Sequence, residues 1–142
     1  MTEAFVAHHP PYLLTVFLED TDATGFVYHS NYLKYCERAR TELLYHKGVS
    51  HAKLIESHRA IFVVYSIVCQ FLAPARLEDQ LLIYTDIESI QGARIKLKQS
   101  ILKDGQLLVK ADIALAYVDQ NSQPPKPIRV PKFIISALNS KT

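Results

Sequence analysis

Three carboxylates fall within four positions in the run EDTDATGFVYHSNY, residues 19–32. Glu19, Asp20 and Asp22 are followed by Gly25, by Phe26, Val27 and Tyr28, and by His29 just ahead of a segment with helical period. A solvated turn accounts for the acids and the glycine. It does not account for the apolar border, which sets the acids beside a buried region. A carboxylate next to the start of a helix also meets free backbone N–H groups and the positive end of the helix dipole. A base or nucleophile facing a site for a developing oxyanion is what acyl transfer requires.

The elements that must position this turn are legible on either side. Residues 13–18, LLTVFL, put Leu14, Val16 and Leu18 on one side and Leu13, Thr15 and Phe17 on the other, the pattern of a first strand. Beyond the turn the period changes. Tyr32, Cys36, Ala39 and Leu43 recur at helical steps, flanked by Leu33 and Leu44, with Lys34, Arg38 and Glu42 on the outer face. Ser30 or Asn31 is placed to cap the start, and Gly48 to stop the end. Glu37 with Arg40 and Arg38 with Glu42 read as structural pairs on this helix. Residues 49–60 are mixed, with a short helix begun by Ser50.

From residue 61 the signals are almost all β, in four runs separated by APARLED and by short turns. Asp104-Gly105 predicts a tight hairpin, because a type I′ turn needs positive φ at both central positions. Leu107, Val109, Ala111, Ile113, Leu115 and Tyr117 share one face of the last long strand, and Gln99 lies on the apolar face of its own, where an unpaired amide is costly. Gln99 reads either as a core amide bonded to backbone or as a contact near the helix start or the acyl group, and we favour the first. The proline-rich stretch NSQPPKPIRVP is a loop, and the tail KFIISALNSKT holds a short helix. One strand, a long helix and about four long antiparallel strands make one α+β domain over residues 1–142, with the helix as the axle of the sheet.

Composition narrows the function. A net charge of +2 and scattered basic residues exclude a duplex-binding stripe, so no nucleic acid is expected. Cys36 and Cys69 stand in apolar segments without metal spacing and read as free thiols, which suits a reducing cytoplasm. His8, His9, His46, His51 and His58 form no ligand set, so no metal is expected. The N-terminal segment lacks a basic stretch and an apolar export core. No apolar run approaches the ~20 residues of a membrane-spanning helix. The expectation is a cytoplasmic protein that does not insert into membranes.

The segment EDTDATGFVYHSNYLKYCERARTE resembles the hallmark of the hotdog-fold acyl-CoA thioesterases of the 4-hydroxybenzoyl-CoA thioesterase family, nearest to its Tol-Pal-associated branch. PARLEDQLLI, KQSILKDGQLLVKADIALAYVD and PIRVP resemble the family's later strands. The resemblance implies a hotdog fold and hydrolysis of an acyl thioester to free acid and thiol without cofactor. It places the catalytic carboxylate on Asp22, which attacks the carbonyl or activates water, and an assisting histidine on His29. The oxyanion site falls on the amide of His29 or a neighbour, and Gly25, Val27 and Tyr28 lie against the substrate. Thr24 stands where relatives often have glycine or alanine; its hydroxyl either contacts the acyl group or fills the turn, and it is read as lying outside the catalytic pattern.

The resemblance further implies an acyl-CoA or acyl-carrier-protein substrate and a homotetramer built from dimers, with the substrate tunnel between subunits. Arg59, Arg76, Arg94, Lys96 and Lys98 have the right charge for the phosphates of coenzyme A. Two other readings keep the fold: an acyl-thioester or acyl-carrier-protein binding module linked to envelope or phospholipid metabolism, and a dehydratase, against which Asp22 speaks.

Overall fold

The computed structural model describes residues 9–140 in full and the backbone of residues 2–4. Strand β1 (Thr2–Ala4) and strand β2 (Tyr12–Thr15) lead into a 3₁₀ turn at Leu18–Asp20 and the long helix α1 (His29–His46). Helix α2 (His51–His58) follows, then β3 (Ala60–Phe71), β4 (Gln80–Gln91), β5 (Arg94–Lys103) and β6 (Gln106–Asp119). Strand β7 (Lys126–Pro127) and helix α3 (Lys132–Leu138) complete the described chain. The His8 considered above lies outside the described residues.

All strand pairs in the seven-stranded sheet are antiparallel, in the order β1-β4-β5-β6-β3, with β2 also on β4 and β7 on β6. The β5–β6 turn is the expected one, with φ of +47° at Asp104 and +80° at Gly105. Alternation does the rest. Leu81, Ile83 and Ile87 of β4, Ile95, Leu97 and Ile101 of β5, and Val109, Ala111, Ile113 and Leu115 of β6 bury one sheet face. Tyr32, Tyr35, Cys36, Ala39 and Leu44 of α1 belong to the same core. Irregular pairing at Val64/Ser66, Ile87/Ser89 and Ile101/Leu102 interrupts the ladders, and such bulges bend strands. At the last of these the register shifts, so Leu108 is buried where Leu107 was expected and Leu107 is 37% exposed.

Three local expectations need correction. The first strand closes at Thr15, not at residue 18: Val16 still exchanges backbone bonds with Glu78 and Asp79, but the Asp20 carboxylate then takes the Phe17 N–H and turns the chain, leaving Leu18 exposed. Helix α1 starts earlier than its apolar period suggests, with Tyr28 as N-cap, so Ser30 and Asn31 lie inside the first turn and neither caps it. Arg40 is buried and turned inward, away from Glu37, which instead accepts the Thr41 hydroxyl at 3.1 Å. On the same helix Glu42 meets His46 at 3.3 Å and makes no ion pair with Arg38.

Gln99 is the satisfied core amide expected of it. Its Nε2 donates to the Cys36 carbonyl at 3.0 Å and to Thr85 Oγ1 at 2.8 Å, and its Oε1 accepts from Arg40 Nη1 at 3.0 Å. That network ties the middle of α1 to strands β4 and β5, beneath the site at the helix N-terminus. Ser50 caps α2 by accepting the Lys53 N–H. Among the described residues no helix is long and apolar enough to cross a membrane.

Candidate active site

The chain reaches α1 through a loop built on its own backbone. Asp22 N–H donates to the Phe26 carbonyl at 3.0 Å and Gly25 N–H to the Asp22 carbonyl at 3.0 Å, a turn that Gly25 closes at a φ of +85°. Thr21 bridges Val27, and Phe26 bridges Arg76 in the connection between β3 and β4. Val27 N–H donates to the Ala75 carbonyl at 2.9 Å, while Ala75 N–H donates to the Tyr32 hydroxyl at 3.0 Å. These bonds lay the segment after β3 against the start of α1.

Between them opens a cavity of about 350 Å³ lined by Asp22, Thr24, Phe26, Val27, His29, Tyr32 and residues 71–74. The structure therefore brings Asp22, Val27 and His29 to one cavity. Gly25 and Tyr28 stand outside its lining: Gly25 shapes the turn, and the Tyr28 ring packs on the His29 imidazole with centroids 4.5 Å apart. Phe71 adds an aromatic wall, 6.1 Å from His29 and 5.7 Å from Tyr32 between ring centroids.

The helix start offers the donors. The amide of Tyr28 donates to the Asp20 carbonyl and that of Asn31 to the Tyr28 carbonyl, each at 2.9 Å. Among the described residues the amides of His29 and Ser30 have no acceptor, and they sit at the positive end of an 18-residue helix.

Asp22 is exposed, and its Oδ1 accepts both the Thr24 N–H at 2.8 Å and the Thr24 hydroxyl. The hydroxyl bond, then the backbone bond, hold its carboxyl below the usual carboxylate pKa, with burial opposing and His29 adding a smaller lowering. Thr24 thus touches the carboxylate directly, which corrects its reading as a residue outside the pattern. Nothing in an acidic run separates such a threonine from turn filler, because the bond depends on where Thr24 folds back. The other missed lining, residues 71–74, has no local signature either.

Neither cysteine is an activated thiol. Burial pushes the Cys36 thiol up to about 12, and burial likewise raises Cys69. Among the described residues no three or more His, Cys, Asp or Glu side chains are grouped to hold a metal ion. Of the basic residues, Arg76 lies over the ring of Phe26 at 4.6 Å, while Arg94 lies over Tyr65 at 5.3 Å and Lys98 is 3.9 Å from Asp112.

An antiparallel sheet packed on one long helix is the hotdog architecture. The profile of the Thioesterase-like superfamily matches residues 16–138, and the chain belongs to that family. It is 40% identical over 122 residues to the acyl-CoA thioester hydrolase YbgC of Escherichia coli O6:H1, covering 85% of this chain and 89% of that protein. The crystal structure of a probable thioesterase from Bartonella henselae superposes with a TM-score of 0.81 at 34% identity, over 88% of this chain and 100% of that one. A 4-hydroxybenzoyl-CoA thioesterase shares the fold at a TM-score of 0.84 and 20% identity, over 92% and 97% of the two chains.

Proposed function

We propose that this protein is an acyl-CoA thioesterase in which Asp22 is the nucleophile or general base and the amides opening α1 hold the oxyanion. The observation that carries the reading is the shared cavity: Asp22 and His29 line it together, and the amides of His29 and of Ser30, next to it in the chain, are unspent among the described residues. In the general-base route Asp22 takes a proton from water as the water oxygen bonds to the thioester carbon, and negative charge develops on the carbonyl oxygen against the helix start. Collapse breaks the C–S bond, and the proton returns from Asp22 to the departing thiolate. In the nucleophilic route an Asp22 oxygen bonds to that carbon, the thiolate leaves, and water then hydrolyses the anhydride.

Either route suits a thioester, whose leaving thiol has a pKa near ~8.5 and departs without a strong general acid. His29 assists by orienting water or Asp22. Apolar Phe26, Val27, Phe71 and Leu72 form the wall for the acyl group. Coenzyme A is the proposed thiol carrier, on the strength of the E. coli relative's name, with an acyl-carrier protein as the other carrier to test. Cytoplasmic localisation is supported by the two free cysteines.

The proposed assembly is a homotetramer of dimers. Among the described residues strand β3 pairs only with β6 and leaves its other edge open, with Val63, Val64, Tyr65, Ile67, Val68 and Phe71 exposed on the strand. A long apolar edge of this kind is an unmet pairing surface. Because Phe71 also lines the cavity, a partner on this edge would close the site.

The deciding experiment is thiol release over a panel of acyl-CoAs, wild type beside Asp22→Asn. Loss of at least ~100-fold in turnover is expected for removal of a base or nucleophile. Full turnover in the variant, or no turnover by the wild type on any acyl thioester, would replace the enzyme reading with that of an acyl-binding module.

A further inference from the structure

Asp20 and Asn31 do not line the cavity, yet they join the two halves of the site. Both are buried, at 8% and 9% exposure. Asp20 accepts the Phe17 N–H through Oδ2 at 2.9 Å, and its carbonyl oxygen accepts twice, from Tyr28 N–H and from the Asn31 side-chain amide, each at 2.9 Å. The carbonyl of Asp20 is thereby bolted to the first turn of α1, two residues before Asp22. The first of these bonds uses up the Tyr28 amide, so the unspent donors are those of His29 and Ser30.

The polarity of the Asn31 contact matters. A capping side chain accepts from helix N–H groups, whereas Asn31 donates backwards to a loop carbonyl. The contact leaves the helix amides untouched and fixes the loop instead. Asparagine is also a poor helix former, so its place in the first turn costs a little locally. The buried bond to Asp20 is what it contributes in return.

We infer that Asn31 is a positioning residue for thioester hydrolysis, holding the Asp22 loop in register with the oxyanion amides through the Asp20 carbonyl. The inference rests on the reading of Asp22 and α1 given above. A misplacement of 1 Å between reacting groups is worth up to about 100-fold in rate, and no other described side chain spans the loop and this helix turn by a hydrogen bond.

The test uses Asn31→Ala and Asn31→Asp in the full chain, with kcat referred to the folded fraction of the same sample. Both remove the donor. The aspartate keeps the shape and puts an acid where the helix dipole favours one. Expected for both is a fall in kcat of about tenfold to 100-fold with KM within about twofold, since the ground-state wall is intact.

A pH series separates positioning from a structural role. The introduced carboxyl regains a donor when it is protonated, so the ratio of Asn31→Asp to wild-type kcat rises as pH falls toward about 4. The Asn31→Ala ratio stays flat. Folded variants with wild-type kcat, or two flat ratios, overturn the inference while Asp22→Asn remains inactive. Activity surviving in Asp22→Asn would instead overturn the underlying reading, and the inference with it.

Discussion

The protonation of Asp22 depends on one threonine. Thr24 gives both its N–H and its hydroxyl to Asp22 Oδ1, leaving the second carboxylate oxygen clear of that pair. These bonds favour the charged form and lower the Asp22 pKa. A depressed carboxyl stays ionised above its folded pKa and loses its charge only as pH falls through that value. The acid limb of kcat/KM should therefore lie below the usual carboxylate range. Thr24→Val removes the hydroxyl and keeps the N–H, so its acid limb should move to higher pH; an unmoved limb would mean that Asp22 is not the titrating group.

His29 permits a second residue-level separation. Tyr28 sits at φ −65° and ψ 133°, the conformation preferred before proline, and residue 29 is the first helical position, where proline is accepted. His29→Ala deletes the imidazole and keeps the amide, whereas His29→Pro deletes both. An oxyanion donor is worth about 100-fold to 1000-fold in kcat. A gap of that order between the two variants would assign the amide. Equal rates would move the oxyanion site elsewhere.

At the scale of elements, the site depends on how α1 is fastened to the sheet. Arg40 is buried, burial lowers its pKa, and among the described residues its one hydrogen bond goes to Gln99. Gln99→Leu strands that guanidinium and frees the Cys36 carbonyl and Thr85 contacts, so a loss of about 2 kcal/mol in urea unfolding is expected. Adding Arg40→Met should recover part of that loss, since replacing both partners by apolar groups of similar volume is often near neutral. A double variant no more stable than Gln99→Leu alone would show that the guanidinium is satisfied by other means. Gln99 was legible in the sequence because a buried amide on an apolar strand face must be bonded, but its partners were not, since Arg40 carries helix spacing to Glu37 and looks paired. The same limit governs the site. Helix period, strand alternation and the Asp104-Gly105 turn outline the α+β architecture, and the acidic run marks the entry to α1. The cap at Tyr28, the inward Asn31 and the wall at residues 71–74 depend on long-range backbone bonds, which leave no period behind.

For the whole molecule, the open question is what covers β3. In the order β1-β4-β5-β6-β3 it is the last strand, and Val68 is 60% exposed and Tyr65 47%. Proteins that remain monomeric guard such an edge with charge, proline or brevity, and this 12-residue strand has none of these among AIFVVYSIVCQF. A second copy presenting the same edge would extend the sheet by a two-fold pairing. Phe71, at the end of that strand, also lines the cavity with Asp22, so such a pairing would reach the proposed site. Val64→Lys with Val68→Lys places two charges on the edge and leaves the buried core residues alone. Sedimentation should find the wild type as an oligomer and the double variant as a folded monomer, with turnover reduced by about tenfold or more as the wall opens to water. A wild type that sediments as a 16.1 kDa monomer, or a monomeric variant with undiminished turnover, would show that one chain completes the site alone.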